Sequence, residues 1–300
     1  MKTILITGSN GLLGQKLVKL LSGQGGHFVV ATSLSANRMP HNESYLFELM
    51  DITNASEINY IFSKHQPDII INTAAMTSVD VCEENRADCW KVNVEGPALL
   101  AAAANNIGAR LIQISTDFVF DGLTGPYSEE ATPNPVSFYG ISKLEAERMT
   151  VAAAKRWSVI RTILVYGFNT NMSRPTFVQW VVNNLSENKS IRVVDDQFRA
   201  PTLDEDLASA CIEAAARDVD GFWHVSGRDF LSIYDFAVMI AGIFGLDGSL
   251  ITPVNSTELN EKGKRPPRTG FILDKAITGL GYNPCSLSEG LQKVRTQTGD

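Results

Sequence analysis

The 300-residue chain has little of what marks several large classes of protein. Its four cysteines contain no CxxC pair, which argues against a disulfide framework. Its four histidines form no HxxxH or similar cluster, so we expect no metal site. No apolar run approaches the ~18 residues of a membrane-spanning helix. The net charge of -7 argues against a surface for nucleic acid or anionic lipid.

The N-terminus offers only a short apolar run at residues 4–6, which is too short for the core of a signal peptide. With 44% hydrophobic and 20% charged residues, the composition is that of an ordinary soluble enzyme of one or two lobes. We therefore expect a cytoplasmic protein without a membrane or nucleic-acid partner. A small anionic ligand is still compatible with the net charge, because it needs only a few local donors.

A strand, a glycine turn and a helix open the chain. The apolar run 2–7 ends at Gly8, and Gly11 and Gly14 follow before apolar residues at helical spacing. Glycines three apart let the backbone turn tightly and approach a pyrophosphate, which then meets the free N–H groups of the helix N-terminus. Because strand and helix stand on the correct sides, this motif favours a dinucleotide site over a plain glycine-rich turn. The predicted contacts are Gly8, Asn10, Gly11, Leu12 and Leu13.

The end of the second predicted strand (28–32) bears on the choice of dinucleotide. In a NAD site an acidic residue usually stands about 20 residues past the glycines and bonds the ribose hydroxyls. Residues 33–38 contain no acid, and Ser33 and Arg38 suit a 2′-phosphate better. We therefore predict NADPH, with NADH as the alternative, although a solvated loop charge explains Arg38 equally well.

The ends of the third and fourth predicted strands offer further contacts for a cofactor. Asp51 follows the third strand (45–50), where its carboxylate either meets an adenine amino group or caps the helix that begins near Ala55. Small residues after the fourth strand (69–71) would let a dinucleotide cross the sheet edge closely. Asn93 lies within an apolar stripe and is either a satisfied buried amide or a neighbour of the site. The predicted contacts are Asp51, Ile52, Ala74, Ala75, Thr77 and Asn93.

A threonine at a strand end and a tyrosine–lysine pair at helical spacing are the candidate catalytic groups. Thr116 follows the fifth predicted strand (109–115), and Tyr139 and Lys143 share one helix face. A phenol with a pKa of about 10 is a poor acid at neutral pH, but a nearby ammonium lowers that pKa. YxxxK alone is common on surface helices; the glycine turn upstream favours the catalytic explanation.

Strands and helices alternate through the first 167 residues, which predicts an α/β fold with a Rossmann-like, doubly wound parallel sheet. Ligands of such sheets bind at the carboxyl ends of the strands. We predict an NAD(P)-binding Rossmann domain over residues 1–167 that also receives about 202–232. Residues 168–201 and 233–300 are predicted to form a smaller C-terminal α/β substrate lobe.

The last third of the chain is less regular. Thr202 with Glu205 predicts a capping box at the start of a helix. Arg199 and Arg265 are candidate cations for an anionic substrate, although any single arginine is more often a surface charge.

Six short segments are motifs rather than isolated residues. They are TGSNGLLG (7–14), NTAAMTSVD (72–80), STDFVFDG (115–122), YGISK (139–143), RTILVYG (161–167) and DDQFRAPT (195–202). Together they resemble the extended short-chain dehydrogenase/reductases, and within them the dTDP-4-dehydrorhamnose reductase family. The resemblance extends over nearly the whole chain.

The resemblance implies NADPH-dependent hydride transfer to the C4 ketone of a nucleotide-linked deoxysugar, as in dTDP-L-rhamnose synthesis. Thr116 would orient the ketone, Tyr139 would protonate its oxygen, and Lys143 would bind the nicotinamide ribose and lower the pKa of the tyrosine. The expected partners are the nucleotide sugar and, as an open option, a second copy of the chain in a homodimer. Tyr139 and Lys143 thus also count as cofactor contacts, and the implied substrate contacts are Thr77, Val79, Thr116, Asp117, Phe118, Arg199 and Arg265.

The chain departs from the family pattern at three positions near the expected substrate. The family usually has tyrosine where Phe118 stands, and it often has tryptophan at Leu164 and glycine at Arg199.

Two rival functions follow from related proteins. A dehydratase of the superfamily needs Thr-Asp-Glu, and Phe118 replaces the glutamate, but an epimerase that holds NAD tightly is still compatible. The regulatory subunit of methionine adenosyltransferase also resembles these reductases and acts as a binding partner. The intact Thr116, Tyr139 and Lys143 favour an enzyme.

Overall fold

The structure is a computed structural model and describes residues 1–40, 44–169, 171–172 and 174–299. Its strands are β1 (Lys2–Thr7), β2 (His27–Ser33), β3 (Leu46–Leu49), β4 (Ile69–Asn72), β5 (Arg110–Thr116), β6 (Trp157–Thr162), β7 (Val165–Tyr166), β8 (Ile191–Val194), β9 (Phe198–Arg199), β10 (Thr202–Leu203), β11 (Gly221–His224), β12 (Leu231–Ser232), β13 (Ile251–Val254) and β14 (Arg268–Thr269). Its helices are α1 (Leu12–Gln24), α2 (Ala55–His65), α3 (Val79–Glu84), α4 (Arg86–Trp90), α5 (Gly96–Ile107), α6 (Phe138–Ala153), α7 (Phe177–Ser186), α8 (Asp204–Arg217), α9 (Ile233–Phe244), α10 (Asp274–Leu280) and α11 (Leu287–Thr298). A π-helical turn lies at Lys91–Glu95, and 3-10 turns lie at Asp117–Val119, Gly248–Leu250 and Ser256–Glu258.

Within the described residues, seven parallel strands form the central sheet in the order β11-β6-β5-β4-β1-β2-β3. The chain runs outward from β1 to β3 and then returns to β4 on the other side of β1, so the topological switch point lies between β1 and β4. Sheets of this kind receive ligands in the crevice at that point, outside the carboxyl ends of the strands. The predicted α/β class with a Rossmann-like, doubly wound parallel sheet is confirmed.

Apolar helix faces cover the sheet on both sides. Strand β4, with the sequence Ile-Ile-Ile-Asn, is buried throughout, as a strand between two helical layers must be. Helices α1, α8 and α10 pack on one side through residues such as Leu17, Cys211 and Leu280, and α2 and α5 pack on the other through Phe62 and Leu100. Burial of a large apolar side chain contributes about 1.5–3 kcal/mol. In the described part of the chain, none of the helices is long and apolar enough to cross a bilayer.

A further apolar cluster lies outside these two layers. Helices α7, α9 and α11 pack with the paired strands β8 and β13 around side chains that include Val181, Phe236 and Leu291. Strands β12, β9 and β14 form a separate small sheet. Strand β11 pairs with β6 and α8 packs on α1, so residues 204–224 extend the central sheet and one of its layers, whereas β10 pairs with β7 and β12 belongs to the small sheet. The division into two lobes at residue 167 stays a prediction.

The predicted capping box of Thr202 and Glu205 is wrong. Helix α8 begins at Asp204, after Leu203, and Thr202 belongs to strand β10. The Thr202 hydroxyl donates to the Ile163 carbonyl oxygen at 2.7 Å, so it serves strand pairing instead of the helix start. The motif was misassigned because the chain forms a two-residue strand directly before the helix.

Two glycines of α1 give a matched stability test. A Cβ at Gly14 would lie 2.4 Å from the Gly8 carbonyl oxygen and 2.7 Å from the Ser9 Cα, so Gly14→Ala should lower the free energy of unfolding by about 1–3 kcal/mol. Gly23 lies on the same helix with nothing within 4 Å of its Cβ position, and Gly23→Ala should raise that free energy by about 0.5–1 kcal/mol. Urea unfolding measures both. Equal effects of the two substitutions would contradict close packing at the turn.

Candidate active site

The glycine turn lies at the switch point, where residues without side chains let two backbone segments approach each other closely. Gly8 has a φ of 65°, and a Cβ there would lie 2.7 Å from the Ala74 nitrogen. Gly11 precedes the first turn of α1, and among the described residues no side chain caps that turn. Its N–H groups are therefore available to an anion. This cradle fits the pyrophosphate of a dinucleotide.

Asn10 holds the loop that follows β2. Its Nδ2 donates to the Ala36 carbonyl oxygen at 2.9 Å and to that of Ser35 at 3.2 Å, and its Oδ1 accepts from the Arg38 backbone N–H at 3.0 Å. The half-buried Arg38 therefore lies on a loop that is tied to the glycine turn, and the half-buried Ser33 ends the strand before that loop. This arrangement brings the predicted 2′-phosphate contacts to the same edge of the sheet.

Asp51 bonds its own loop instead of capping a helix. Its Oδ1 accepts from the backbone N–H and the hydroxyl of Thr53, both at 2.8 Å. Asn54 caps α2 by accepting from Ser56 and Glu57. Of the two explanations for Asp51, the helix cap is wrong.

The other predicted cofactor contacts differ in burial. Leu13 and Ile52 belong to the apolar cores on the two sides of the sheet. Leu12, Ala74 and Ala75 are half-buried, and Thr77 is exposed.

Asn93 lies in the π-helical turn and is a satisfied buried amide. Its Oδ1 accepts from the Met76 N–H at 2.8 Å, and its Nδ2 donates to the Met76 carbonyl oxygen at 2.9 Å and to the Ser142 hydroxyl at 3.1 Å. Asn93 thus joins the segment after β4 to α6. The structure favours the first of the two explanations of this residue.

Thr116, Tyr139 and Lys143 come together where β5 ends and α6 begins. Ser137 caps α6, which fixes the helix start and places Tyr139 and Lys143 in the first two turns. The Thr116 hydroxyl lies close enough to the Tyr139 hydroxyl to lower the pKa of the phenol, and the Lys143 ammonium donates to the Ile114 carbonyl oxygen at 2.7 Å. Each of the three predicted catalytic side chains is at most 8% exposed.

Burial sets the proton affinities of this tyrosine and lysine. It raises the pKa of Tyr139 above its ordinary value, and the nearby Thr116 hydroxyl opposes that change only in part. Burial also lowers the pKa of Lys143 to about 8, although the Glu147 carboxylate acts in the opposite direction. The expected depression of the Tyr139 pKa is therefore not found, because desolvation outweighs the stabilisation of a phenolate.

Asp117 and Arg199, two predicted substrate contacts, bind each other. Asp117 accepts from the Thr116 hydroxyl at 3.0 Å and from the Thr269 hydroxyl, and the Arg199 Nε lies 3.6 Å from its Oδ2. Arg199 also donates to the Pro266 carbonyl oxygen at 2.7 Å. Both side chains are at most 3% exposed, so the pair forms an internal link between β5 and the small sheet.

Phe118 forms an apolar wall beside Tyr139. Its half-buried ring packs edge-on against the Tyr139 ring with the centroids 5.6 Å apart, and the Arg199 guanidinium lies 5.6 Å from the Phe118 centroid. Leu164 adopts a φ of 35° and packs between two apolar clusters.

Residues 261–269, here called the strap, are tied to α3 through Asp80. This carboxylate accepts from the backbone N–H groups of Lys262 at 3.0 Å and Gly263 at 2.9 Å. It also accepts from the Arg265 guanidinium at 2.9 Å. Arg265 thus pairs with an internal carboxylate at the edge of the candidate site.

The predicted contacts Val79 and Thr77 lie at the same junction. Val79 is buried, and a Cβ on Gly263 would lie 2.5 Å from its Cγ1. The Thr77 hydroxyl accepts from Arg174. Both residues therefore touch later parts of the chain.

The sequence analysis missed two buried partners of the candidate site. Glu147 accepts from Ser115 at 2.6 Å and pairs with Arg161 at 2.7 Å. Its position four residues after Lys143 on one helix could have pointed to it. Thr269 had no local signal, because its partner Asp117 lies 152 residues away.

Enzymes that move a hydride between a nicotinamide dinucleotide and a carbonyl combine such a sheet edge with a hydroxyl, a tyrosine and a lysine. The fold and the site together define an extended short-chain dehydrogenase/reductase. Residues 1–298 match the family described as RmlD substrate binding domain, and the chain belongs to that family.

Several relatives match nearly the full chain. The spore coat polysaccharide biosynthesis protein SpsK of Bacillus subtilis is 32% identical over 98% of this chain and 96% of its own. The dTDP-4-dehydrorhamnose reductase of Aggregatibacter actinomycetemcomitans is 31% identical over 98% and 99%. Methionine adenosyltransferase 2 subunit beta of Bos taurus is 30% identical over 93% and 83%.

Solved structures agree with these relatives. The dTDP-4-dehydrorhamnose reductase of Clostridium acetobutylicum superposes with a TM-score of 0.88 at 33% identity, over 99% of this chain and 100% of its own. The Bacillus anthracis reductase, solved in complex with NADP, superposes with a TM-score of 0.84 at 28% identity over 99% of each chain.

The comparisons confirm the predicted family, that of the dTDP-4-dehydrorhamnose reductases within the extended short-chain dehydrogenase/reductases. The predicted enzyme class, an NAD(P)-dependent oxidoreductase, is confirmed at the level of the family. The NADP in the Bacillus anthracis relative agrees with the predicted class of cofactor. The roles of individual residues stay predictions.

The buried lysine gives a test of function against stability. At pH 7 the folded protein holds a charged Lys143 whose pKa burial has lowered to about 8, so Lys143→Met should raise the free energy of unfolding by about 2 kcal/mol while turnover is lost. The unfolded chain binds more protons than the folded one between pH ~8 and ~10.4, so the wild type gains stability as the pH rises through that window. The difference in the free energy of unfolding between Lys143→Met and the wild type should therefore shrink as the pH rises through that window.

Urea unfolding of both proteins at several pH values measures this difference. A variant less stable than the wild type at pH 7, or a difference that does not change with pH, would show that Lys143 is not strained by burial.

Proposed function

We propose that the protein uses NADPH to reduce the C4 ketone of a nucleotide-activated deoxysugar, as in dTDP-L-rhamnose synthesis. The observation that carries the proposal is the placement of Thr116, at the end of β5, together with Tyr139 and Lys143, in the first two turns of α6, at the sheet edge that holds the glycine turn. Relatives named dTDP-4-dehydrorhamnose reductase, at 31% and 33% identity, support it.

Tyr139 is the proposed proton donor. The bound NADPH would supply the hydride. Tyr139 gives its proton to the ketone oxygen as negative charge develops there. The N-terminus of α6 and the Lys143 ammonium stabilise the phenolate that is left. Thr116 fixes the position of the Tyr139 hydroxyl, and the burial of all three side chains excludes water from the proton transfer.

The glycine turn and the loop after β2 are the proposed cofactor site. The turn would hold the pyrophosphate on backbone N–H groups, and Lys143 would bind the nicotinamide ribose. Ser33 and Arg38 would meet the 2′-phosphate that distinguishes NADPH from NADH. The absence of an acid between residues 33 and 38 supports this preference.

A binding protein is the second candidate function. The 30% identity with a methionine adenosyltransferase regulatory subunit over 93% of the chain favours it. A protein of that kind would bind a dinucleotide without turning over a ketone sugar. An epimerase, in contrast, would keep its dinucleotide through purification.

Replacement of the proposed acid tests the mechanism. Tyr139→Phe should lower turnover of NADPH with dTDP-4-keto-L-rhamnose by about 10²–10⁴-fold, because the ketone oxygen loses its proton donor. The dissociation constant for NADPH, measured by calorimetry, should stay nearly unchanged. Tyr60→Phe, on an exposed position of α2, is the control.

A wild-type rate in Tyr139→Phe would remove this residue from the mechanism. Tight NADPH binding by a wild-type protein that reduces none of a panel of 4-keto nucleotide sugars would favour the binding protein.

The loop after β2 predicts the choice between the two dinucleotides. NADPH should bind more tightly than NADH, and Arg38→Ala should weaken NADPH by about tenfold and leave NADH unchanged, because one charge-assisted contact is lost. Arg148→Ala, on the exposed side of α6, is the control for an arginine outside the site. Calorimetry that shows a clear preference of the wild type for NADH would overturn the assignment.

A cytoplasmic location and a homodimer stay part of the proposal. Cell fractionation and light scattering of the purified protein test the two independently of catalysis.

A further inference from the structure

The first turn of α6 is fixed from two directions. The hydroxyl of Ser137, the N-cap, accepts from the Gly140 N–H at 3.2 Å. The Phe138 N–H, at the first residue of the helix, donates to Glu83 Oε1 on α3 at 2.7 Å. Both donors are among the N–H groups that a helix start leaves without a partner inside the helix. Tyr139 lies between them, so the two bonds hold the backbone that carries the proposed proton donor.

Glu83 is itself held by its surroundings. Its Oε2 accepts from the Arg86 guanidinium at 2.9 Å, and that guanidinium lies 5.1 Å from the centroid of the Phe138 ring. The Glu83 side chain is only 15% exposed, and a Cβ on Gly263 of the strap would lie 3.0 Å from its Cγ. The carboxylate therefore has little freedom to move away from the helix start.

Helix α3 also contacts the Tyr139 side chain. Val79 and Cys82 of this helix belong to the same buried cluster as Tyr139. Asp80, on the same helix, binds the N–H groups of the strap. Helix α3 thus lies between the strap and the helix that carries the proposed acid, and Glu83 bonds the backbone of that helix.

We infer that Glu83 is a positioning residue for the proposed reaction, because it fixes the start of α6 and thereby the place of the Tyr139 hydroxyl. Proton transfer needs the donor within about 2.6–3.2 Å of the acceptor, and a displacement of about 1 Å can slow a reaction about 10²-fold. The glycine turn, the proposed pyrophosphate cradle, belongs to other elements. Loss of the Glu83 bond therefore affects turnover more than binding. The inference rests on the proposed function.

Substitutions on α3 test this role. Glu83→Ala should lower kcat for dTDP-4-keto-L-rhamnose and NADPH by about 10–10²-fold, while KM and the dissociation constant for NADPH stay nearly unchanged. Glu83→Gln keeps an oxygen that can accept from the Phe138 N–H and should restore most of kcat. Glu84→Ala is the matched control, because this neighbouring exposed carboxylate pairs with Lys262 instead of α6, and it should leave kcat unchanged.

Proline at position 138 removes the other partner of the bond. Proline is favoured at the first residue of a helix, and Ser137 before it has the extended backbone that proline requires, with a φ of -133° and a ψ of 158°. Phe138→Ala, which loses the ring but keeps the N–H, is the control. Glu83→Ala should slow Phe138→Ala as much as it slows the wild type, and it should slow Phe138→Pro little further, because that bond is already absent.

Amide hydrogen exchange over residues 137–143 measures the helix start without turnover. Exchange there should be faster in Glu83→Ala than in the wild type and unchanged in Glu84→Ala. If Glu83→Ala folds poorly, the ratio of kcat between Phe138→Ala and Phe138→Pro still measures the bond, and equal values overturn the inference.

Four other results overturn it as well. They are a wild-type kcat or unchanged exchange in Glu83→Ala, a Glu83→Gln as slow as Glu83→Ala, equal losses from Glu83→Ala in the two Phe138 backgrounds, and a rise in KM and in the NADPH dissociation constant that matches the loss in kcat. A wild type that reduces no 4-keto sugar contradicts the proposed function, and the exchange rates then decide on their own whether Glu83 holds the start of α6.

Discussion

The buried carboxylate of Asp117 joins the catalytic strand end to the last third of the chain. It lies directly after Thr116, and its other partners, Arg199 and Thr269, come from the small sheet of β9 and β14. A buried charge with one partner removed is strongly destabilising, so the folded protein needs both Arg199 and Thr269 in place. The geometry of the Thr116 hydroxyl therefore depends on residues far from it in sequence.

Several groups whose charged forms are disfavoured by burial lie at the same edge of the sheet. Lys143 keeps an ammonium in a site that lowers its pKa to about 8, and the phenol of Tyr139 is surrounded by apolar side chains. The nearby Glu147 and Arg161 are buried as well, but they satisfy each other through two hydrogen bonds. The scaffold thus compensates the charges of this pair but leaves those of the proposed catalytic groups disfavoured by burial, as expected where chemistry requires groups that can change protonation.

Local sequence patterns predicted the sheet, the glycine turn and the helix that carries Tyr139 and Lys143, because each depends on neighbours within a few residues. They could not decide between uses where a side chain has two that are chemically reasonable. Asn93 and Arg199 have the polarity of ligand contacts, yet the fold uses both for internal hydrogen bonds. Thr202 has the spacing of a helix cap but lies in a strand. Only long-range contacts distinguish these uses, and Thr269 shows that such contacts can lack any local pattern.

The strap is synthesised late, because it lies near the end of the chain. Thr116, Tyr139 and Lys143, the three proposed catalytic residues, lie before residue 144. The groups that hold Asp117 and Asp80 come from the strap, residues 261–269, and from Arg199. A nascent chain that has folded its glycine turn and its first six strands would carry the reactive groups without their supports. The hydrogen bonds that hold Asp117 and Asp80 are therefore complete only after the last third of the chain has been placed.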